Sequence, residues 1–215
     1  MKDIIIIGAG GHAKVVADII LQRKKQLKEE INLIGFLDDA YKSLKYKEIF
    51  GISILGDLSK LEDLKSKNYE YLIAIGNNSI RKKIAEKYNK LKYYIAIHPN
   101  SIIGTEVKIE EGTVVMANAV INSGSEIKKH VILNTASVVE HDCLVSKYSH
   151  ISPNATLCGA VKIGKETWIG ANSVVKQEIG IGENVTLGAG SVVVKNIKGN
   201  CVVVGNPAKK IKDKG

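Results

Sequence analysis

Cysteine is scarce: the 215 residues hold three, Cys143, Cys158 and Cys201, with no C-x-x-C among them. An odd number of widely spaced thiols indicates neither a disulfide framework nor a zinc site. Aromatic side chains are also few, 5% of the chain with a single tryptophan. That scarcity bears on the formal net charge of +9. A chain built to hold nucleic acid clusters its basic residues or displays a known motif; here the lysines are spread along the whole sequence and no such motif occurs. Solvated lysine faces explain most of the charge, and a polyphosphate ligand can use some of the rest. Long apolar runs are missing too. The one at the start, residues 1–8, is far short of the roughly 20 residues that cross a bilayer. Asp3 interrupts the basic start of a signal peptide, and no small-residue cleavage site follows before the first helix. A cytoplasmic location is expected. The remaining composition, 45% hydrophobic and 25% charged, is that of a soluble globular protein with room for one large domain or two modest ones.

What is abundant is a period of six. A branched aliphatic stands at every sixth position from Ile103 through Ile109, Val115 and so on to Val193, without a miss. That period suits neither an α-helix nor a plain amphipathic strand. It suits a hexapeptide β-helix, in which each short flat strand turns one aliphatic inward and three strands make a triangular coil. Two residues before each aliphatic a small or β-branched residue recurs, as in Thr113, Ser125, Ser137, Cys143 and Ser149. A thiol among these is a packing group. The residue just after the aliphatic is often Gly or Asn, including Gly104, Asn122, Gly164 and Gly182, and we read it as the corner with unusual backbone angles. The run makes roughly five coils of stacked parallel strand.

Before the repeat, strand and helix alternate. The apolar run Lys2–Ile7 reads as a buried strand, followed by Gly8-Ala9-Gly10-Gly11-His12-Ala13 and an amphipathic helix with Val15, Val16, Ile19 and Ile20 on its apolar face. A second strand, Ile31–Leu37, ends at Asp38-Asp39. Then come a short helix over 59–67, a strand over 71–75, the turn Gly76-Asn77-Asn78, and a helix from Ser79, its cap, to about 88. A last strand over 93–97 leads to His98-Pro99, where proline marks the hand-over. The expectation is a small Rossmann-like parallel α/β domain over 1–98 and a left-handed parallel β-helix with a C-terminal tail over 99–215. Ligands of open α/β sheets bind at the carboxyl ends of the strands, which here carry residues 8–12, 38–39 and 76–78. Gly8, Gly10 and Ala13 fit the dinucleotide fingerprint G-x-G-x-x-G/A, but the domain is too short for two mononucleotide halves, so a single nucleotide is favoured over a nicotinamide cofactor.

The hexapeptide run resembles the left-handed β-helical acyltransferases, which assemble as homotrimers. Five further segments narrow the likeness: GAGGH near the N-terminus, FLDD, IAIGNN, ILNTASVVEHD and YSHIS. Together, over nearly the whole chain, they resemble the bacterial N-acetyltransferases of nucleotide-linked 4-amino-6-deoxy sugars, with sialic acid O-acetyltransferases as close relatives. The resemblance implies that Gly10, Gly11 and His12 meet the phosphates and sugar, and that Asp38, Asp39 and Asn77 meet the base or ribose. It implies that His141 is the general base and that Asp142 orients it, where many relatives carry the longer Glu. It places His150 near the acetyl thioester, His12 near the sugar amine, Asn134 near the sugar, and Gly159 as the backbone oxyanion donor. Acetyl-CoA is then the donor, lying between neighbouring subunits along Ala171 and Ala189, with Lys209 and Lys210 available to its phosphates.

The residues themselves agree with the chemistry. Acyl transfer to an amine needs a base that works near neutral pH, and histidine suits it. Of His12, His98, His130, His141 and His150, His141 lies outside the core row between Glu140 and Asp142, and a neighbouring carboxylate fixes an imidazole tautomer and raises its basicity. The H-x4-H pair of the zinc-dependent carbonic anhydrases built on this repeat is absent, so no metal is expected. The function expected is acetyl transfer to the 4-amino group of a nucleotide-linked sugar, UDP foremost, in bacterial surface glycan biosynthesis. The alternatives are sialic acid O-acetylation and a nucleotide-binding scaffold without catalysis.

Overall fold

A computed structural model describes residues 1–64 and 67–214, in two compact units, Met1–Pro99 and Asn100–Gly215. The fold is the expected one, a small parallel α/β sheet followed by a left-handed parallel β-helix.

In the first unit the strands are β1 (Lys2–Ile7), β2 (Ile31–Leu37), β3 (Glu48–Ile49), β4 (Ile52–Gly56) and β5 (Tyr69–Ile73), arranged β3-β4-β2-β1-β5. β1 runs parallel to β2 and β5, and its Ile4, Ile5, Ile6 and Ile7 are fully buried, as a central strand covered on both faces requires. The helices are α1 (Gly11–Leu27), α2 (Leu61–Leu64) and α3 (Asn78–Lys87). α1 buries Ala13, Val16, Ala17, Ile19 and Ile20, while Val15 faces outward at 45% exposure, so two alanines take the place expected of that valine.

Several boundaries move. The cap of α3 is Asn77 and not Ser79, because the Asn77 carboxamide oxygen accepts the Ile80 N–H at 3.0 Å. The strand expected over 71–75 is Tyr69–Ile73, leaving residues 74–77 as the loop that carries the glycine. The strand expected over 93–97 shrinks to a single bridge from Tyr93 to Tyr71 and the pair Ala96–Ile97. The helix expected over 59–67 is a 3-10 turn, Leu58–Lys60, capped by Asp57, followed by α2; residues 65 and 66 lie outside the described residues. The β3–β4 hairpin was not foreseen, since its turn is the positive-φ pair Phe50-Gly51 after a strand of two residues.

The second unit is a stack of two-residue strands, each pairing in parallel with the strand three steps on, as Val120 with Val138, Glu126 with Leu144 and Ile132 with His150. Residue i therefore lies beneath residue i+18. The ladder bonds run N–H to the carbonyl of i+17: Val138 to Ala155 at 2.9 Å, Leu144 to Val161 at 2.9 Å, His150 to Thr167 at 3.0 Å. Three faces result. The first begins at Ile102–Ile103 and ends at Val192–Val193; the second runs from Lys108–Ile109 to Gly180–Ile181. The third passes through Val114–Val115, Ile132–Leu133, His150–Ile151, Trp168–Ile169 and Thr186–Leu187 to Cys201–Val204, against which Lys209–Asp213 folds back antiparallel. The second residue of each pair points inward, and every member of the aliphatic row from Val115 to Val193 is buried. Ile103, in the first coil, is 38% exposed, with no coil before it to cover its row.

Inside the coils the small residues are also a ladder. Ser125, Ser149, Thr167 and Ser173 donate their hydroxyls to the carbonyls of Glu140, Gly164, Gly182 and Gly188 at 2.7–2.9 Å, so these buried polar groups satisfy backbone oxygens.

The corners are not where the glycines suggested. Left-handed backbone falls three residues after every aliphatic of the row but the last, at Glu106, Asn118, His130, Ala136, Asp142 and Tyr148 among others. The glycines directly after the aliphatic serve close approach: a Cβ on Gly164 would lie 2.4 Å from the Glu183 nitrogen, and one on Gly182 2.4 Å from the Gly199 nitrogen.

Burial separates two isoleucines that the period treats as equal. Ile151→Ala should cost about 2–5 kcal/mol of unfolding free energy in a urea titration, and Ile103→Ala less than about 1 kcal/mol.

Candidate active site

The first unit builds an anion-ready crevice at the carboxyl ends of β1 and β5, where the strand order departs to both sides of β1. The Gly10 cap of α1 has no side-chain acceptor and the first turn holds no acid, so no carboxylate of its own offsets the positive end of the helix dipole. Gly8 has an internal reason to be glycine, with φ at 107° and the Ala74 carbonyl 2.9 Å from where a Cβ would sit. Gly10, Gly11 and Gly76 have none: a Cβ on any of them would meet nothing within 4 Å. Open space over three glycines at one crevice suits a ligand lying close on the backbone.

Arg81, fully buried on α3, gives Nη1 to the Ile75 and Gly76 carbonyls at 2.9 and 3.2 Å and Nη2 to Asn78 at 2.8 Å. Burial brings its pKa down to about 9, so it is still a cation at neutral pH. Half-buried His12 feels both its own desolvation and that charge, which take its pKa down to about 4. Asp38 is committed to the loop: its two oxygens accept the Ala9 and Ala40 N–H groups at 2.7 and 2.9 Å. Exposed Asp39 accepts the Leu58 N–H at 3.1 Å. Asn77 spends its oxygen on the α3 cap and keeps its amide NH2 for other partners.

In the second unit the Asp142 carboxylate sits 2.8 Å from His141 Nδ1. A carboxylate only accepts, so Nδ1 carries the proton and Nε2 the lone pair. Asp thus reaches without the extra methylene of Glu. Both members rest on bare α-carbons of neighbouring coils. A Cβ on Gly159 would fall 2.5 Å from His141 Nε2, and one on Gly124 would fall 2.6 Å from Asp142 Oδ1. Among the described residues no carbonyl accepts the Gly159 N–H.

His150, 7% exposed, is held on the third face. The Asn134 oxygen accepts the Thr135 N–H at 2.8 Å, which turns its NH2 toward His150 Nε2 at 3.0 Å. Ala171 and Ala189 stand at the corner after this face, half-buried and exposed respectively, and Lys209 is exposed in the closing hairpin. Lys210 pairs with Asp213 at 3.0 Å. Cys143 is buried, its thiol donating to the Cys158 carbonyl at 3.2 Å, and burial raises its pKa to about 11, which excludes a thiolate nucleophile there. Among the described residues no three His, Cys, Asp or Glu side chains gather as a metal site, and no helix is long and apolar enough to cross a membrane.

Residues 3–88 match the PglD N-terminal domain, and residues 160–195 match the bacterial transferase hexapeptide (six repeats). The acetyltransferase domain of PglB from Neisseria gonorrhoeae is 38% identical, with 98% of this chain and 100% of that one aligned at a TM-score of 0.89. That domain has also been solved with acetyl coenzyme A. The chain belongs to the hexapeptide-repeat sugar N-acetyltransferases with a PglD-type N-terminal domain. A mutant perosamine N-acetyltransferase from Caulobacter crescentus, in complex with CoA and GDP-perosamine, is 30% identical over 99% of this chain and 98% of that one, with a TM-score of 0.89. The UDP-N-acetylbacillosamine N-acetyltransferase of Bacillus subtilis is 37% identical over 119 residues, which span 54% of this chain and 52% of that protein.

For a member of these N-acetyltransferases, sequence reasoning missed Arg81 and Gly124. Arg81 stands where the buried stripe of α3, Asn78 and Ala85, called for an apolar residue, and that misfit was its signal. Gly124 is eighteen residues before Asp142, a relation visible once the coil length is known.

The neutral state of His12 is testable. The unfolded chain takes up that proton near pH 6.5 and the folded chain near 4, so stability is complete above pH 6.5 and falls as pH drops toward 4. Histidine ring shifts should show one imidazole neutral at pH 5, lost in His12→Gln; titration of that ring near 6.5 would contradict its burial.

Proposed function

We propose that this protein transfers an acetyl group from acetyl-CoA to the 4-amino group of a UDP-linked 4-amino-4,6-dideoxy sugar, in the cytoplasm, for a bacterial surface glycan. The His141–Asp142 pair seated on Gly159 carries the reading. In this reaction the amine nitrogen attacks the thioester carbonyl carbon, the amine proton passes to His141 Nε2, and the C–S bond breaks as the thiolate leaves and takes up that proton. Asp142 holds the imidazole tautomer and stabilises the cation formed in transit. The Gly159 N–H, on the residue against which the His141 ring rests and with no carbonyl acceptor among the described residues, donates to the oxyanion. Attack is direct: burial holds the Cys143 thiol protonated, and the remaining candidate nucleophile, Cys158, is the one the Cys158→Ala variant removes.

The nucleotide is assigned to the first unit. The α1 N-terminus with Gly10, Gly11 and His12 takes phosphate and sugar, Asp39 and Asn77 take ribose or base, and Asp38 holds the loop around them. The Bacillus relative supports UDP. In the second unit Asn134 and His150 bound the thioester end, Ala171 and Ala189 leave room for the donor's arm, and Lys209 meets its phosphates.

The active assembly is a homotrimer. Outward residues on the first face are Ile102, Val120, Val138, Thr156, Val174 and Val192, with Ile102 at 62% exposure, whereas the second face presents Lys108, Glu126 and Lys162. An uncharged apolar face suits burial against another copy. His141 follows that face and Asn134 precedes it, so one chain holds them at opposite edges and a neighbour brings them together.

Thiol release from acetyl-CoA should be measured over UDP-, dTDP- and GDP-4-amino sugars and free sialic acid. One nucleotide amino sugar should turn over, with His141→Ala lower by about 10²–10⁴-fold and Cys158→Ala unchanged. Turnover with sialic acid alone would replace this reading by O-acetylation. Val138→Glu should yield monomers in light scattering and abolish activity while circular dichroism stays native.

A further inference from the structure

Trp168 is the chain's single tryptophan, and at 45% exposure it is held far more tightly than a surface aromatic needs to be. Its Nε1 donates to buried Ser152 Oγ at 2.7 Å, which uses up the polar handle of the ring. Its indole lies parallel to the His150 imidazole, 2° between planes and 5.7 Å between centroids, because the two are consecutive members of one column, His150 paired with Trp168. His150 is fixed from its other side by Asn134. Three successive coils thus present amide, imidazole and indole in a locked order.

The chemistry of this wall selects its occupant. Of the column Ile132, His150, Trp168 and Thr186, Ile132 and His150 are buried and the Trp168 ring is the exposed part; none carries a fixed charge, so the surface suits an uncharged chain of methylenes and amides better than a phosphate. Ala171, three residues past Trp168 around the corner, adds no bulk there, and the exposed cations stand further on, at Lys209 in the closing hairpin. A flat apolar ring already fixed in place loses little conformational freedom on binding.

We propose that Trp168 is a donor-binding residue: with His150 it forms one rigid wall on which the pantetheine arm of acetyl-CoA lies. This rests on the acetyl-CoA reading above. The chain's only indole then reports occupancy of the arm site.

The test is tryptophan fluorescence of the wild-type protein titrated with acetyl-CoA and, separately, with adenosine 3′,5′-bisphosphate, which lacks the arm, while calorimetry measures binding of each. Acetyl-CoA should change the emission with the calorimetric affinity, and the bisphosphate should bind without changing it. Trp168→Ala should raise KM for acetyl-CoA about tenfold and leave KM for the amino sugar unchanged; Trp168→Phe, which keeps a ring, should stay within about threefold. Calorimetric binding of acetyl-CoA with silent fluorescence, or an unchanged KM in Trp168→Ala, overturns the wall while leaving the acetyl-CoA reading intact. No heat with acetyl-CoA overturns that reading and the wall together.

Discussion

Every functional feature of the second unit follows from one constraint, the parallel ladder that joins residue i to the coil one turn away. Because strand pairing fixes an eighteen-residue step, chemistry is arranged vertically. His141 comes to lie on Gly159, Asp142 on Gly124, and the imidazole of His150 on the indole of Trp168. None of these pairs is close in sequence, and the corner turns that carry His141, Asp142, Gly124 and Gly159 are held in register by the ladders on either side. The precision of the dyad is inherited from backbone hydrogen bonds of 2.7–3.1 Å that run from coil to coil through the stack. A site built on rigid elements holds its geometry better than one on loops.

The first unit works differently. The groups proposed to meet its ligand come from loops at strand ends, and those loops are braced by polar side chains turned inward: Asp38 across to Ala9, Arg81 to Ile75 and Gly76, Asn77 on its own helix. The buried guanidinium has a second effect. Together with the burial of His12, which is the larger cause, it keeps that imidazole neutral while placing positive charge beneath a glycine-lined strand end, an arrangement favourable to phosphate.

Much of this was written plainly in the sequence. The six-residue spacing determines the β-helix because the core of such a fold is one-dimensional, so a periodic row of aliphatics has no other economical burial. β1, β2 and the acids beside His141 were legible for similar local reasons. What was not legible depended on neighbours a coil or a strand away. The glycines after each aliphatic looked like corner residues, yet they are small because the next coil passes against them. Ser79 looked like the cap, but the loop geometry after β5 gives that place to Asn77. Arg81 sits on a face whose neighbours decide that a cation rather than a leucine belongs there.

The eighteen-residue ladder also restricts how such a chain can change in length over evolution. A single residue gained or lost between two corners would turn every later aliphatic outward and every later hydroxyl away from its carbonyl. Viable insertions are whole coils, which lengthen the prism without disturbing its faces, or excursions at a corner, where the left-handed residue already interrupts the ladder. A coil added between Gly124 and Asp142, or between His141 and Gly159, would separate partners that only direct stacking brings together, so the prism is free to grow toward its ends and frozen across its middle.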